Sequence, residues 1–420
     1  MVKRLVPLER QLPVPQLFTD FLKFKKPSLD RRQARLDAAQ DVWDLRKIAQ
    51  RRTPTGPFDY VEGAAEQEIS LGRAREAWAN ISFHPQVLRD VSNVDLSTTV
   101  AGGEAALPLA IAPTGFTRMM HAEGEIAGVT AAHKAGIPFT LSTVGTATIE
   151  EVAAAGPYGR TWFQLYMASE SREISERLIE RAKRSGYDTL IVTVDTPVAG
   201  ARHRDARNGM TFPPQLTFKT VLDASYRPEW WINFLTTKPL GFTNFGEGTQ
   251  SIAQIGNMFD PSLNFDDIVW LREQWKGTLL MKGIQTATDA ARAIDAGADG
   301  VILSNHGGRQ LDRAPVPLYT LPAVRKAVGE EPTVIVDTGI MSGADVIAAV
   351  ALGADAAMIG RAYLYGLMAG GAEGVVRLLD IMRAEMTRTM QLIGVGSVAD
   401  LNPDLVSFDW KVRNHEHDYL

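Results

Sequence analysis

From residue 122 onward one unit recurs: an Ala-rich amphipathic segment, a Gly, then a short apolar run that ends in polar residues. A helix closed by a Gly C-cap and followed by a buried strand is the simplest translation. The run after Gly136 is IPFTLS, after Gly186 YDTLIVTVD, after Gly297 ADGVILSNHG and after Gly353 ADAAMIGR. Four further runs, LPLAIAPTG, TWFQLY, GTLLMKG and PTVIVDTG, repeat the strand part and alternate with helical segments such as EISERLIERAKRSG and GADVIAAVALG. Nearly continuous apolar strands are buried on both faces, as in parallel sheets covered by helices. Eight such units predict an α/β fold of the TIM, or (β/α)8, barrel class.

Helix starts are marked as well, with Thr148 three residues before Glu151 in capping-box spacing. Asp41 to Arg52 carries Val42, Leu45, Ile48 and Ala49 on one helical face. Residues 1–105 are therefore expected as an N-terminal extension whose helices pack on the barrel, 106–400 as the barrel and 401–420 as a C-terminal tail. Between strands four and five lies an insertion, about 203–265, rich in Pro, Gly and aromatics. It far exceeds the roughly two to six residues usual for such a connection, so it is either functional or disordered.

The absence of cysteine excludes disulfides, Cys-ligated zinc, iron–sulfur clusters and thiol catalysis. A formal net charge of −5 argues against a nucleic-acid partner. The balance is uneven: residues 1–52 hold thirteen Lys/Arg against six Asp/Glu, a basic arm that either faces an anionic membrane or is a solvated extension. The start MVKRLVPLERQLPVP lacks a continuous apolar stretch, and no run of about 18 apolar residues occurs. A cytoplasmic chain, at most peripheral on the inner face of the plasma membrane, is expected, with no metal site.

In TIM barrels the active site lies at the C-terminal strand ends, so the polar residues closing each run are the ones to read. In strand order they are Pro113, Thr114 and Gly115; Ser142; Gln164 with Tyr166; Thr193 with Asp195; Lys282; Ser304 with His306 and Arg309; Asp337 with Gly339; and Gly360 with Arg361. Any one could be a satisfied structural group; all eight ends together are hard to explain as packing. The sharpest motif is SNHGGRQLD, Ser304 to Asp312, which sets an imidazole and a guanidinium three residues apart on a Gly-rich turn. One can act as base while the other holds a carboxylate.

Here, on SNHGGRQLD, IAPTG, FQLY, TVDTP and KGI, the sequence resembles the FMN-dependent L-2-hydroxy-acid dehydrogenases and oxidases, from about Asp41 to about Asp400. Within them it looks nearest to bacterial quinone-dependent L-lactate dehydrogenases. The resemblance implies that His306 takes a proton from the substrate while two electrons leave for the flavin, and that Asp195 stabilises the imidazolium. It implies Arg309 and Arg202 as a carboxylate clamp, with Tyr60 and Tyr166 bonding the carboxylate and hydroxyl. For FMN it implies Lys282 at the flavin edge that gains negative charge, Ser142, Gln164, Thr193 and Ser304 beside the ring, and the backbone of Pro113 to Gly115 close to it. The phosphate and ribityl chain fall to Asp337, Thr338, Gly339, Gly360 and Arg361. Met341 stands where plant-type relatives carry a phosphate-binding Arg, which shifts that task to Arg361 and backbone donors.

Val144 and Ala199 stand where glycolate-specific relatives carry Trp and Leu, leaving room for a lactate methyl or more. Gly115 replaces an Ala common in oxidases, which favours a dehydrogenase. The segment RPEWWINFLTTKPLGF, about 227–240, groups Trp230, Trp231, Ile232, Phe234 and Leu235 between Arg227 and Lys238. It either lies in a membrane interface, bringing the flavin near a quinone, or folds back on the barrel or into an oligomer contact. A tetramer is what the resemblance implies. Rival readings are an oxygen-reducing oxidase, a flavin-free phosphate-binding lyase or isomerase, and a non-catalytic membrane scaffold.

Overall fold

A computed structural model describes residues 29–168, 172–210, 218–245 and 260–408. The first part of the basic arm, parts of the 203–265 insertion and the end of the tail lie outside the described residues. Eight parallel strands close into a ring in chain order. They are β1 (Leu109–Thr114), β2 (Phe139–Ser142), β3 (Thr161–Leu165), β4 (Thr189–Thr193), β5 (Thr278–Ile284), β6 (Gly300–Leu303), β7 (Thr333–Val336) and β8 (Ala356–Ile359). β8 pairs with β1 at Met358 and Ala110, and β7 with β6 at Ile335 and Ile302, so the ring has no free edge.

Alternation along the strands separates two layers. Ala110, Ala112, Trp162, Ile191, Leu280, Ile302, Ile335, Ala356 and Met358 fill the lumen, the one large indole set among small alanines. Leu109, Ile111, Phe163, Val192, Met281 and Val336 face the surrounding helices in the larger core. The predicted capping box forms, with Thr148 accepting from Glu151 N and Glu151 answering at the Thr148 backbone. Gly136 ends its helix at φ 71°, the left-handed C-cap its position predicted.

The extension does more than supply helices. A hairpin of Thr98–Val100 and Gly103–Ala105 plugs the N-terminal end of the ring, and its Val100, Ala101 and Ala105 join the lumen cluster. Arg160 fastens it, donating to the carbonyls of Val100, Ala101 (3.0 Å) and Gly103 (3.1 Å) while its Nε holds Asp188 at 2.7 Å. Ile81–Phe83 pairs antiparallel with Val406–Phe408, which ties down the described part of the expected tail. The expected helix runs Val42–Arg52 from an Asp41 cap and buries Val42, Leu45 and Ala49. Beside it, Leu36 of the helix Arg31–Ala38 is fully buried against Gly370 in the break of the last helix, Arg361–Ile393.

The described parts of the insertion are helical: His203–Arg207, Phe218–Ser225 and Pro228–Thr236, before Asn264 caps the crossover helix Phe265–Gln274. Pro228 sits in the first turn of its helix, where a missing N–H costs nothing. No helix among the described residues is long and apolar enough to cross a membrane.

Leu36→Ala should leave a void where the extension meets the last helix. A loss of about 2–5 kcal/mol is expected in urea unfolding of the holoenzyme. An unchanged midpoint would show that the extension does not contribute to the cooperative unit.

Candidate active site

A cavity of about 400 Å³ opens at the C-terminal rim, lined from β1, β2, β4, β5 and the turns after β6, β7 and β8. After β6 the chain turns through left-handed backbone, φ 58° at His306, 65° at Gly307 and 74° at Gly308. For a non-glycine residue that conformation costs about 1–2 kcal/mol, so something must hold it. Asn305 does: its Oδ1 accepts from Gly308 N (2.9 Å) and Thr338 Oγ1 (3.0 Å), and its Nδ2 donates to Pro315 O (3.1 Å).

So held, His306 Nδ1 lies 3.1 Å from Asp195 Oδ1. The Asp195 side chain is 3% exposed and the imidazole 21%. Burial alone would raise the Asp195 pKa, but the charge and hydrogen bond of His306, with Lys282 beyond, leave it below the ordinary carboxylate range. An ionised Asp195 assigns the proton to Nδ1 and leaves Nε2 as the free base. The stabilisation linked to this carboxylate is complete above its ordinary pKa and is lost only as pH falls through the depressed one. Gln310 fixes the spacing of the pair from behind. Its Oε1 accepts from Gly200 N (3.1 Å), and its Nε2 donates to Asp195 O (3.2 Å) and Val198 O (2.9 Å). The turn after β4 is thereby stitched to the turn after β6.

Cations surround the pair. Lys282, 4% exposed, donates to Ser304 Oγ and meets Asp337 Oδ2, both at 2.8 Å. Arg309 donates to the carbonyls of Tyr60 and Gly63 and lies 4.6 Å over the Tyr60 ring. Burial and the neighbouring Arg202 lower its pKa to about 10. Arg202 lines the cavity with a buried Nε that has no partner among the described residues. Arg361 donates to Val61 O (2.9 Å) and Gly63 O (2.7 Å), so two of its donors hold the end of the helix Thr55–Glu62 rather than the cavity. Tyr60 on that helix stands edge-on to Phe116 at 6.3 Å. Burial and Asp195 push the Tyr166 hydroxyl up, so at neutral pH it stays a donor.

Across the cavity, Ser142 Oγ donates to Gln164 Oε1 at 3.0 Å, and Gln164 Nε2 is buried without a partner among the described residues. Thr193 and the backbone of Pro113, Thr114 and Gly115 complete this wall. A Cβ on Gly115 would stand 2.6 Å from Val144 Cγ2, so the two departures read there from the sequence are one packing unit. After β7, Thr338 (φ 74°) and Gly339 (φ 84°) curl toward Gly360 and Met341, which present no charge. Arg75, from the helix Ile69–Ala79, reaches this turn: it donates to Gly339 O, lies 3.2 Å from Asp345 Oδ2 and covers the Trp43 ring at 5.4 Å.

Residues 49–408 match the model of a family described as FMN-dependent dehydrogenase. The chain belongs to that family. A Mycobacterium tuberculosis protein with the provisional name L-lactate dehydrogenase is 52% identical over 397 residues, 94% of this chain and 96% of that one. The L-lactate dehydrogenase of Pectobacterium atrosepticum is 42% identical, covering 86% and 95%. A solved structure, the monotopic membrane protein (S)-mandelate dehydrogenase, aligns with TM-score 0.86 and 39% identity over 89% of this chain and all of that one. The protein is thus an FMN-dependent 2-hydroxy-acid oxidoreductase on a TIM barrel.

The cavity fits the cofactor of the family. An orphaned buried amide on Gln164, a buried Lys282 and a glycine turn after β7 are the donors a polar ring edge and an anionic chain need. The strand-end residues named from the sequence do converge on one cavity, Tyr60 included, with Gln164, Ser304 and Asp195 one step behind its wall. Two details differ: Lys282 and Asp337 meet each other, and Arg361 spends donors on Val61 and Gly63. Arg75, Asn305 and Gln310 were not singled out, because Arg75 lies outside any strand end and the other two act through neighbours.

Gln310→Ala should loosen the stitch while leaving His306, Asp195 and the cations of the cavity in place. A fall in kcat of about tenfold or more, equivalent to about 1.4 kcal/mol, is expected with FMN content unchanged. Full activity would show that Asp195 and His306 keep their spacing unaided.

Proposed function

We propose that the protein oxidises L-lactate to pyruvate and passes the electrons to a membrane quinone. The observation that carries this reading is His306, backed by Asp195 and opening on the same cavity as Arg202, Arg309, Tyr60 and Tyr166. Lactate binds with its carboxylate toward Arg202 and Arg309, where an anion relieves the repulsion between two buried cations. Tyr60 and Tyr166 donate to its oxygens. His306 Nε2 accepts the hydroxyl proton, and Asp195 stabilises the imidazolium that results, so the charge created in the step meets a fixed countercharge. Lactate loses two electrons and two protons in becoming pyruvate; bound FMN supplies the two-electron acceptor. Lys282, Ser142, Gln164, Thr193, Ser304 and the backbone of Pro113 to Gly115 would hold its ring, and Asp337, Thr338, Gly339, Met341, Gly360 and Arg361 its chain.

Membrane contact is supported by the helix Pro228–Thr236. Its inner side packs, with Trp230 donating to Met119 O (2.9 Å) and stacking on Phe234 at 4.9 Å, while Arg52 pairs with Glu229. Its outer side leaves Ile232 and Leu235 59% and 64% exposed. The packed inner side fits a segment folded back on the barrel, and the exposed outer side supports contact with a membrane surface. The similar (S)-mandelate dehydrogenase is described as a monotopic membrane protein.

Under anaerobic conditions L-lactate should bleach the flavin band of the holoenzyme within one turnover, and quinone should restore it. His306→Ala should keep the band and lose bleaching by a factor of about 10³ or more; substantial bleaching in that variant removes the base assignment. Ile232→Glu with Leu235→Glu should release the protein from anionic vesicles in flotation while reduction of a soluble dye stays unchanged. Retained flotation would mean that this helix is not the anchor.

A further inference from the structure

Outside the ring a second cavity of about 710 Å³ lies between β4, β5 and the helix Phe265–Gln274; it borders the far side of Asp195, and the substrate in the reaction above does not occupy it. Its walls are mostly aliphatic, with Val192 and Met281 from the helix-facing layer of the strands and Ile268 and Leu271 from the helix, while the carboxylates of Glu66, Asp195 and Asp289 stand at its border. Gln285 adds an amide. Val198 and Leu311, which also line it, are 66% and 64% exposed, so the apolar surface continues from the interior to the outside. An entrance of that kind suits a ligand arriving from lipid rather than from water.

Ala199, Gly200 and Gln310 line both this cavity and the substrate cavity. The partition is therefore thin, with no side chain larger than a methyl at two of its three positions. It is also rigid. A Cβ at Gly200 would stand 2.3 Å from Arg309 O, and Gln310 clasps the same segment through three backbone bonds. A bulky substrate cannot push its side chain through such a wall, but a second molecule can lie against it.

We propose that this cavity is the acceptor site, and that it takes the ring and first prenyl units of a lipid quinone, with the Gln285 amide available to a quinone carbonyl. The inference rests on the quinone reading of the acceptor given above. The balance is closed: the 2-hydroxy acid gives up two electrons and two protons, and the quinone takes up two of each to become the quinol. Burial of the tail supplies affinity at about 25 cal/mol per Å² of apolar surface. Substrate and acceptor occupy separate chambers, so neither has to leave before the other binds.

The test uses the FMN-loaded protein and an azido derivative of decyl-ubiquinone. On illumination, label is expected in the peptides spanning 192–201 or 263–285, and excess decyl-ubiquinone, but not L-lactate, should suppress it. Label confined to other peptides overturns the site, as does suppression by a long-chain 2-hydroxy acid, which would make the cavity a substrate chamber. Leu271→Trp, which fills the far end, should raise the KM for decyl-ubiquinone about tenfold and leave lactate-driven dye reduction unchanged. An unchanged quinone KM in a folded variant also overturns it. A wild-type enzyme that reduces the dye but no quinone removes the acceptor reading itself, and the site with it.

Discussion

Closure of the parallel ring is the constraint on which everything else rests. Because side chains alternate along a strand, the register that brings Leu280 into the lumen also brings Lys282 to the rim, opposite Thr193, and turns Met281 outward. A slip of one residue would put the lysine into the aliphatic layer beneath the helices and a methionine into the site. Burying a lone ammonium costs several kcal/mol, so the register and the chemistry enforce one another. The plug from Thr98 to Ala105 closes the opposite end and keeps the lumen dry.

The rim so formed concentrates positive charge. Lys282, Arg202, Arg309 and Arg361 all border one cavity, and Arg75 reaches it from the extension. Each is held differently. Lys282 has Asp337, Arg75 has Asp345, and Arg309 and Arg361 lean on the carbonyls of residues 60 to 63 at the negative end of a helix dipole. Arg202 alone among them retains a buried donor without a partner among the described residues. Fixing cations in this way before any anion arrives means that little reorganisation remains for the moment of reaction, which is where electrostatic catalysis gains most. Burial, with Arg202 beside it, lowers the Arg309 pKa, whereas His306 and then Lys282 keep the Asp195 carboxyl ionised despite burial.

How much of this could be read from the sequence follows from what has a period. Apolar runs with polar endings are local, so the eight strands and most rim residues were legible, and SNHGGRQLD marked the turn that carries the base. The plug hairpin was not, since two three-residue strands around glycines leave too few positions for alternation to show. Arg75 was invisible for another reason: it lies on a helix ahead of the barrel, and only the folded chain brings it to the turn after β7. The Met341 position suggested that a loop cation was missing there, and Arg361 was the candidate to replace it. The folded chain also brings Arg75 to that turn, while Arg361 lines the same cavity with two of its donors on Val61 and Gly63.

The connection after β4 combines tasks that a barrel usually spreads over several loops. Within a few residues it supplies Asp195 to the His306 imidazole, Ala199 and Gly200 to the partition between two cavities, and Arg202 to the cavity wall; further on it forms the helix with an exposed apolar face. Insertions are tolerated at this rim because a loop between strand and helix can grow without disturbing the ladder. Precision is required only at its root, and there Gln310 ties the segment to the neighbouring turn while Gly200 permits the close approach. Beyond that clasp the chain is free to serve the surface. A rigid root with a variable extension explains how one ring of strands can keep its proton chemistry fixed while the route by which electrons leave is rebuilt around it.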